Sequence, residues 1–424
     1  MQSIYLPITA LLAGVALLLL GSGLLNTTLV LLGDAQGFSA TVLGALTAGY
    51  FVGFLLGIWL IVPLIQRIGH IRAFAFCAAL AAACALFHVL FPQPWTWFLL
   101  RVAYGIAIVA LYTIVESWLN ARTPGEHRGR VFALYMAVNL GALALGQQLI
   151  RLTFADDNLL FVLAAVLLLL ALMPVAATRL GQPEPVHAPR VRLWPLWEAA
   201  PLAVVGAGLS GLAMGAFWGL APLFAGLSGL DRDGIGIFMS LAIVGGAAFQ
   251  WPIGSFSDRF DRRRVLGFAT GLAAFTAIVM SQLPPGNLLL LTAFLWGGLA
   301  FAVYPIAVAH LIDHLAPEEI LTGSGGLLLI HGGGAAVGPL LAGYLISLLG
   351  GMALPLYLAA SQGLLALLIV LAVSRSKARE PQPAHFTPIL RTSAVAMEMA
   401  STASMDEDPD ADEEDTRAAA QNPS

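Results

Sequence analysis

Charge is what this chain of 424 residues has least of: Asp, Glu, Lys and Arg together make up 10% of it, and Lys377 is its single lysine. A water-soluble globular chain carries about 25% charged residues, so most of this surface does not face water, and no nucleic-acid partner is expected. Cysteine is also scarce. Cys77 and Cys84 lie seven apart on one predicted helix. That spacing separates their Cα atoms by about 10 Å, too far for a disulfide. They say nothing about compartment. No glycine-rich loop precedes Lys377, so there is no P-loop and ATP cannot drive the protein on its own. H-E-x-x-H, G-x-S-x-G and Cys/His ligand clusters are missing too. Covalent catalysis, a metal and a cofactor are therefore not expected. The run Gly206-Ala-Gly208-Leu-Ser-Gly211 spells a dinucleotide fingerprint, but it sits in an apolar stretch with no preceding strand. Met1 to Pro7 carry no charge, and the apolar run after them is too long for a cleavable signal.

Apolar residues fill the space. They form 59% of the chain, and the mean hydropathy is +0.86. Stretches near 6–32, 41–65, 73–91, 95–119, 130–152, 158–178, 198–225, 234–256, 265–283, 287–312, 321–348 and 351–374 are each long enough to cross a bilayer; a spanning helix needs about 20 residues. The short alternating segments of a membrane barrel are absent. Each span must satisfy its own backbone in lipid, which leaves helices. The expected fold is an all-α integral membrane protein of twelve transmembrane helices.

Arginines set the orientation. The loops after spans 2, 4, 6 and 8 carry twelve, including Arg67, Arg72, Arg130 and Arg259, against Arg151 and Arg232 in the opposite loops. Both termini are then cytoplasmic. Residues 375–424 differ in kind, with eight carboxylates between Asp406 and Asp415. Such a segment buries too little apolar surface to fold alone, and a disordered acidic tail is expected.

One offset, 192 residues, pairs punctuating positions along the chain: Gly23 with Gly215, Gly37 with Gly229, Gly44 with Gly236, Gly53 with Gly245, Gly105 with Gly297, Tyr112 with Tyr304, Glu126 with Glu318 and Gly146 with Gly338. A constant offset through six spans reads as two six-helix halves, 1–178 and 198–374, joined by a cytoplasmic linker, 179–197. Parallel repeats of this kind place a pathway at their interface near the midplane. Residues 6–178 and 198–374 should then superpose, with Val62 on Gly254 and Asn139 on His331.

Gly254, Asp258, Arg259, Asp261, Arg262 and Arg263 stand at the spacing G-x-x-x-D-R-x-G/D-R-R between spans 8 and 9. This resembles the loop signature of the major facilitator superfamily. The first-half copy keeps Arg67 and Gly69 but has Gln66 where Asp is expected. Arg101, Gly105 and Ala107 resemble the family's R-x-x-x-G-x-G motif with the last Gly replaced. The run Glu116 to Asn120, followed by Arg128-Gly-Arg130, is similar to a branch of mostly unassigned substrate. The family's drug-antiporter signature is absent from span 5, but Gly334, Gly338, Pro339, Ala342 and Gly343 give a partial copy on span 11. The resemblance implies alternating access, a loop motif that gates the cytoplasmic side, and a fourth helix facing a central cavity. With the first-half copy weakened, that gating passes to Asp258, expected to reach Gly129 and Arg130 at the start of span 5.

Charged and titratable groups inside a membrane are costly and need a reason. Arg101, Tyr112 and Glu116 fall on one face of span 4, with Tyr104 beside them. The competing reading has Arg101 snorkelling outward and Glu116 pairing with a loop arginine. His331 is mid-span, and its repeat partner is Asn139; imidazole titrates near neutral pH and can shuttle a proton, or can simply bond a neighbour. Asn26, Tyr50, Trp218, Trp296 and Tyr304 are further candidates for cavity lining, each also readable as packing. Pro305 offers a bend at a gate. The resulting expectation is a monomeric, proton-coupled carrier of a neutral or amphiphilic organic solute in a bacterial-type inner membrane, with export slightly favoured. The alternative is a sensor or partner-binding subunit on the same fold.

Overall fold

The computed structural model describes residues 2–124, 127–152, 154–178, 183 and 193–375. Fourteen α-helices follow in order: α1 (Gln2–Ala35), α2 (Ala40–Ile68), α3 (His70–Leu90), α4 (Pro94–Arg122), α5 (Arg128–Gln148), α6 (Leu159–Leu170), α7 (Leu172–Ala176), α8 (Leu193–Ala199), α9 (Pro201–Leu227), α10 (Arg232–Arg259), α11 (Arg262–Met280), α12 (Asn287–Ile312), α13 (Ile320–Leu349) and α14 (Ala353–Arg375). Twelve spans result, with α6 and α7 forming one and the short α8 lying in the linker. There is no strand among the described residues. The rest of the linker, the C-terminal tail and Glu126 lie outside them.

The helix ends follow from local chemistry. Gly37 and Gly229 both take positive φ, 83° and 92°, where each half turns from its first span into its second. Only glycine adopts that conformation without strain. Two residues on, the Ser39 hydroxyl accepts from the Val42 N–H and the Asp231 carboxylate from the Gly234 N–H, capping α2 and α10. Both features recur at the 192-residue offset.

Packing repeats at the same offset. The Cα of Gly53 sits against the Val102 backbone carbonyl, and that of Gly245 against the Phe294 carbonyl. Gly105 meets the carbonyl of Tyr50 in the same way, and Gly297 that of Ala242. Adding a methyl group at any of these four would overlap backbone that cannot move aside. Gly23 against Leu143 is repeated as Gly215 against Ala335. In lipid, helices associate through such close approaches of small residues.

The halves meet along two seams. Gly44 of α2 abuts the Pro339 carbonyl of α13, and Gly236 of α10 the Gln147 carbonyl of α5. This is one contact made twice, since both members shift by 192 residues. Polar bonds surround it. Thr41 Oγ1 and Ser347 Oγ are 3.0 Å apart. Gln148 Nε2 donates to the Gly236 carbonyl at 2.9 Å, and Ser240 Oγ to the Ala144 carbonyl at 2.7 Å. Two ion pairs close the rim, Arg232–Asp157 at 2.6 Å and Arg151–Asp233 at 3.3 Å. All these contacts lie at the end where α2 and α10 begin. The arginine-rich loops follow the opposite ends of the same helices.

The Arg232 hydrogen bond is the chief cause that holds the Asp157 carboxyl below the ordinary aspartate range. Its contribution to the sealed end is therefore complete above that range and is lost as pH falls through the lowered value. Asp157→Asn should loosen this end and flatten its acid sensitivity. With Thr47→Cys as reporter, impermeant maleimide applied from the sealed side should label several-fold faster at neutral pH. An unchanged rate would show that the pair does not hold the seam.

Candidate functional site

Between the halves lies a cavity of about 130 Å³. α1, α2, α4 and α5 contribute one wall, and α9, α12 and α13 the other. Arg101 carries the only fixed charge among the lining residues. It is 3% exposed, so the side chain points into the protein and does not snorkel to the surface. Nη2 donates to Asn26 Oδ1 at 2.9 Å. The guanidinium lies 4.7 Å from the Tyr50 ring centre and 5.3 Å from that of Tyr104, cation–π distances. Nε and Nη1 have no partner. Tyr104 is fixed in turn by a 2.8 Å hydrogen bond between its hydroxyl and Ser22 Oγ.

The facing wall is aromatic. Trp218 and Phe301 have ring centres 5.7 Å apart, and Tyr304 lies 4.5 Å from the His331 ring. Trp296 is fully buried and supports this wall from behind through Phe217, centre to centre 4.8 Å.

Asn26, Tyr50, Arg101, Tyr104, Tyr112, Asn139, Trp218, Tyr304 and His331, all singled out by sequence, line the cavity. Glu116 and Trp296 do not. Glu116 is fully buried and accepts a 2.6 Å hydrogen bond from the Tyr135 hydroxyl of α5. Asn139 Nδ2 donates to the Tyr135 backbone carbonyl at 2.7 Å, which links this carboxylate to the cavity edge. Sequence reasoning missed Ser22, Met214 and Phe301. The repeat contained the signal for the first two: Met214 and Trp218 stand at the second-half positions of Ser22 and Asn26.

At the arginine-rich end, the loop motif makes its described contacts inside its own half. Arg262 donates to Asp258 at 3.1 Å, to Ser257 at 3.1 Å and through Nε to Asp313 at 2.7 Å. Asp258 was expected to reach the start of α5. Its described ion pair is with Arg262. Asp261 caps α11 and holds Arg263 at 2.8 Å. Gly254 is buried in α10, while Arg67, Arg130 and Arg259 are exposed. Gly69 ends α2 with a φ of 79°. Asp313, the deepest acid of this cluster, has no motif position and was not singled out.

Two packed sets of spanning helices around a central cavity define a membrane transporter, and comparison with known proteins says which kind. The model for the Major Facilitator Superfamily matches residues 11–200 and 203–404. An uncharacterized MFS-type transporter of Enterobacter sp. (strain 638) is 30% identical over 336 residues, 78% of this chain and 87% of that protein. The MFS-type transporter YcaD of Escherichia fergusonii is 28% identical over 344 residues, 80% and 88% of the two chains. Among solved structures, an aspartate-to-alanine variant of the nucleoside transporter NupG aligns with a TM-score of 0.73 at 14% identity, covering 87% of this chain and 99% of that one. A bacterial homologue of the human lysosomal transporter Spinster, inward-facing and occupied, gives 0.67 at 14% identity, covering 87% and 94%. The chain belongs to the Major Facilitator Superfamily and is a multi-pass membrane transporter, not an enzyme.

The Arg262–Asp313 pair is buried on both sides, 4% and 2% exposed, whereas Asp258 is 26% exposed. Removing one member of a buried pair costs about 3–5 kcal/mol, an exposed one at most about 1. Asp313→Ala should therefore destabilise the detergent-solubilised protein far more than Asp258→Ala. Equal unfolding midpoints for the two variants would contradict this assignment.

Proposed function

We propose that the protein is a proton-coupled secondary transporter that moves a small organic solute across the bacterial inner membrane by alternating access. The observation that carries this is the cavity shared by both halves and shut at one end by two repeat-related seams. The arginine bias supports placing the sealed end outside and both termini in the cytoplasm. The solute site is then open to the cytoplasmic side in this state. The partial antiporter signature on α13 favours export, and a monomer suffices because one chain supplies both walls.

A gradient must supply the energy, since the sequence has no nucleotide loop. Protons fit best. Glu116 is a carboxylate with no exposure inside the bundle near the arginine-rich end of α4, held by Tyr135. Protonation removes a charge that is expensive there. Its link through α5 to Asn139 gives a route by which filling the cavity can alter the carboxylate's surroundings. His331, facing the cavity beside Tyr304, is the second titratable candidate. The exposed Arg67, Arg130 and Arg259, with the Asp258 cluster, would gate the cytoplasmic end.

Glu116→Gln keeps size and hydrogen bonding but cannot ionise. It should abolish solute accumulation driven by an imposed pH gradient in vesicles and leave exchange at equal pH largely intact. His331→Gln should give a weaker form of the same defect. Accumulation by Glu116→Gln vesicles at the wild-type level would reduce Glu116 to a structural partner.

A further inference from the structure

The class of solute can be narrowed from what Arg101 lacks. A guanidinium has five N–H groups in a fixed plane. Here Nη2 reaches Asn26, the two tyrosine rings lie close against the group, and Nε and Nη1 bond nothing. No carboxylate lines the cavity. Glu116 is fifteen residues along the same helix, about 22 Å away. A buried cation with no counter-charge is costly in a membrane protein. A neutral solute would leave that cost in place.

A guanidinium pairs with a carboxylate through two parallel hydrogen bonds along either its Nε–Nη2 edge or its Nη1–Nη2 edge. Asn26 takes one of the two Nη2 hydrogens, so one of these edges keeps both of its N–H groups unpartnered. One cation matches one negative charge. The repeat adds the second half of the description. At equivalent positions the N-terminal half places Ser22 and Asn26 where the C-terminal half places Met214 and Trp218, and Val109 where it places Phe301. At the first two of these pairs the N-terminal wall is the more polar, and it alone carries a cation, while Met214, Trp218 and Phe301 give the opposite wall an apolar surface. The cavity's volume of about 130 Å³ suits a small amphipathic molecule.

We propose that the cavity takes an organic monocarboxylate with an apolar or aromatic body, its carboxylate on the guanidinium edge of Arg101 that Asn26 leaves free and its body against Trp218 and Phe301. This rests on reading the cavity as the transport site, and it replaces the neutral solute expected from sequence. The test uses the full chain in lipid nanodiscs with phenylacetate, its neutral amide phenylacetamide, the cation phenethylamine and inorganic phosphate as probes. Binding is read by thermal shift and by tryptophan fluorescence at pH 7. Phenylacetate should bind at least tenfold more tightly than the other three. Arg101→Lys, which keeps the charge but loses the two-pronged edge, should weaken phenylacetate at least tenfold while phenylacetamide is unchanged. The comparison among probes needs no variant, so it stands even if Arg101→Lys folds poorly. Amide or amine binding as tight as the acid, phosphate binding tighter than the acid, or no detectable phenylacetate binding would each overturn the proposal. No pH gradient is applied, so its failure leaves the Glu116 test intact, and a failed Glu116 test leaves this one intact.

Discussion

Lipid gives helices no hydrophobic reason to associate, so a membrane bundle is held by how closely its backbones can approach. In this transporter glycine sets that distance. Gly53 and Gly105 bring α2 and α4 into backbone contact, and Gly245 and Gly297 do the same for α10 and α12. These contacts run along the middle of the helices and lie within each half. The seams between halves are different. Gly44 with Pro339 and Gly236 with Gln147 lie toward one end, bordered by hydroxyl bonds and partly exposed ion pairs. Such pairs are individually worth about 1 kcal/mol or less. The seams between halves hold close glycine contacts as well, at Gly44 and Gly343, and what sets them apart is this polar border at one end.

The repeat supplies the frame, and departures from it supply the chemistry. Scaffold positions keep their residues across the offset, as the paired glycines show. In and behind the cavity several positions differ: Arg101 corresponds to Ala293, Asn139 to His331, and, behind the wall, Glu116 to Val308 and Tyr135 to Leu327, whereas Tyr112 keeps its counterpart Tyr304. Arg101 and Glu116 belong to the N-terminal half and His331 to the other, and both walls carry aromatic rings. Glu116 and Arg101 are on one helix but face different partners, α5 and the cavity. Glu116 and the cavity are thus linked through α4 and α5 without direct contact.

Most of the architecture was legible because lipid imposes strict length and polarity on each span, and a constant offset needs no structure to be seen. Helix ends ran a few residues past the apolar stretches, as at α1 and α4, where turns continue beyond the hydrocarbon. Nine of the candidate residues reached the cavity for the same reason, polar side chains in lipid-length helices having few other places to go. Glu116 shows the limit. It lies about 60° around α4 from Arg101, and in a bundle that angle suffices to turn a side chain from the cavity to α5. Trp296 was lost because Phe217 stands in front of it, and Phe301 was missed because an aromatic on an apolar helix reads as packing. Asp313 lay beyond sequence reasoning, since its partner Arg262 is 51 residues away and only the fold brings them together.

The central claim is that each half moves as a rigid unit and that motion is confined to the seams between them. Double electron–electron resonance on spin-labelled protein in nanodiscs tests it without knowledge of the solute. One label pair, at Trp95→Cys and Leu288→Cys, exposed positions at the starts of α4 and α12, spans the seams between the halves; another, at Trp95→Cys and Leu159→Cys, stays within the N-terminal half. The native Cys77 and Cys84 are buried. The account predicts two distance populations across the seam, the shorter matching this structure, whose ratio shifts with pH, and a single unchanging distance within the half. A single distance across the seam under every condition, or two distances within the half, would contradict it.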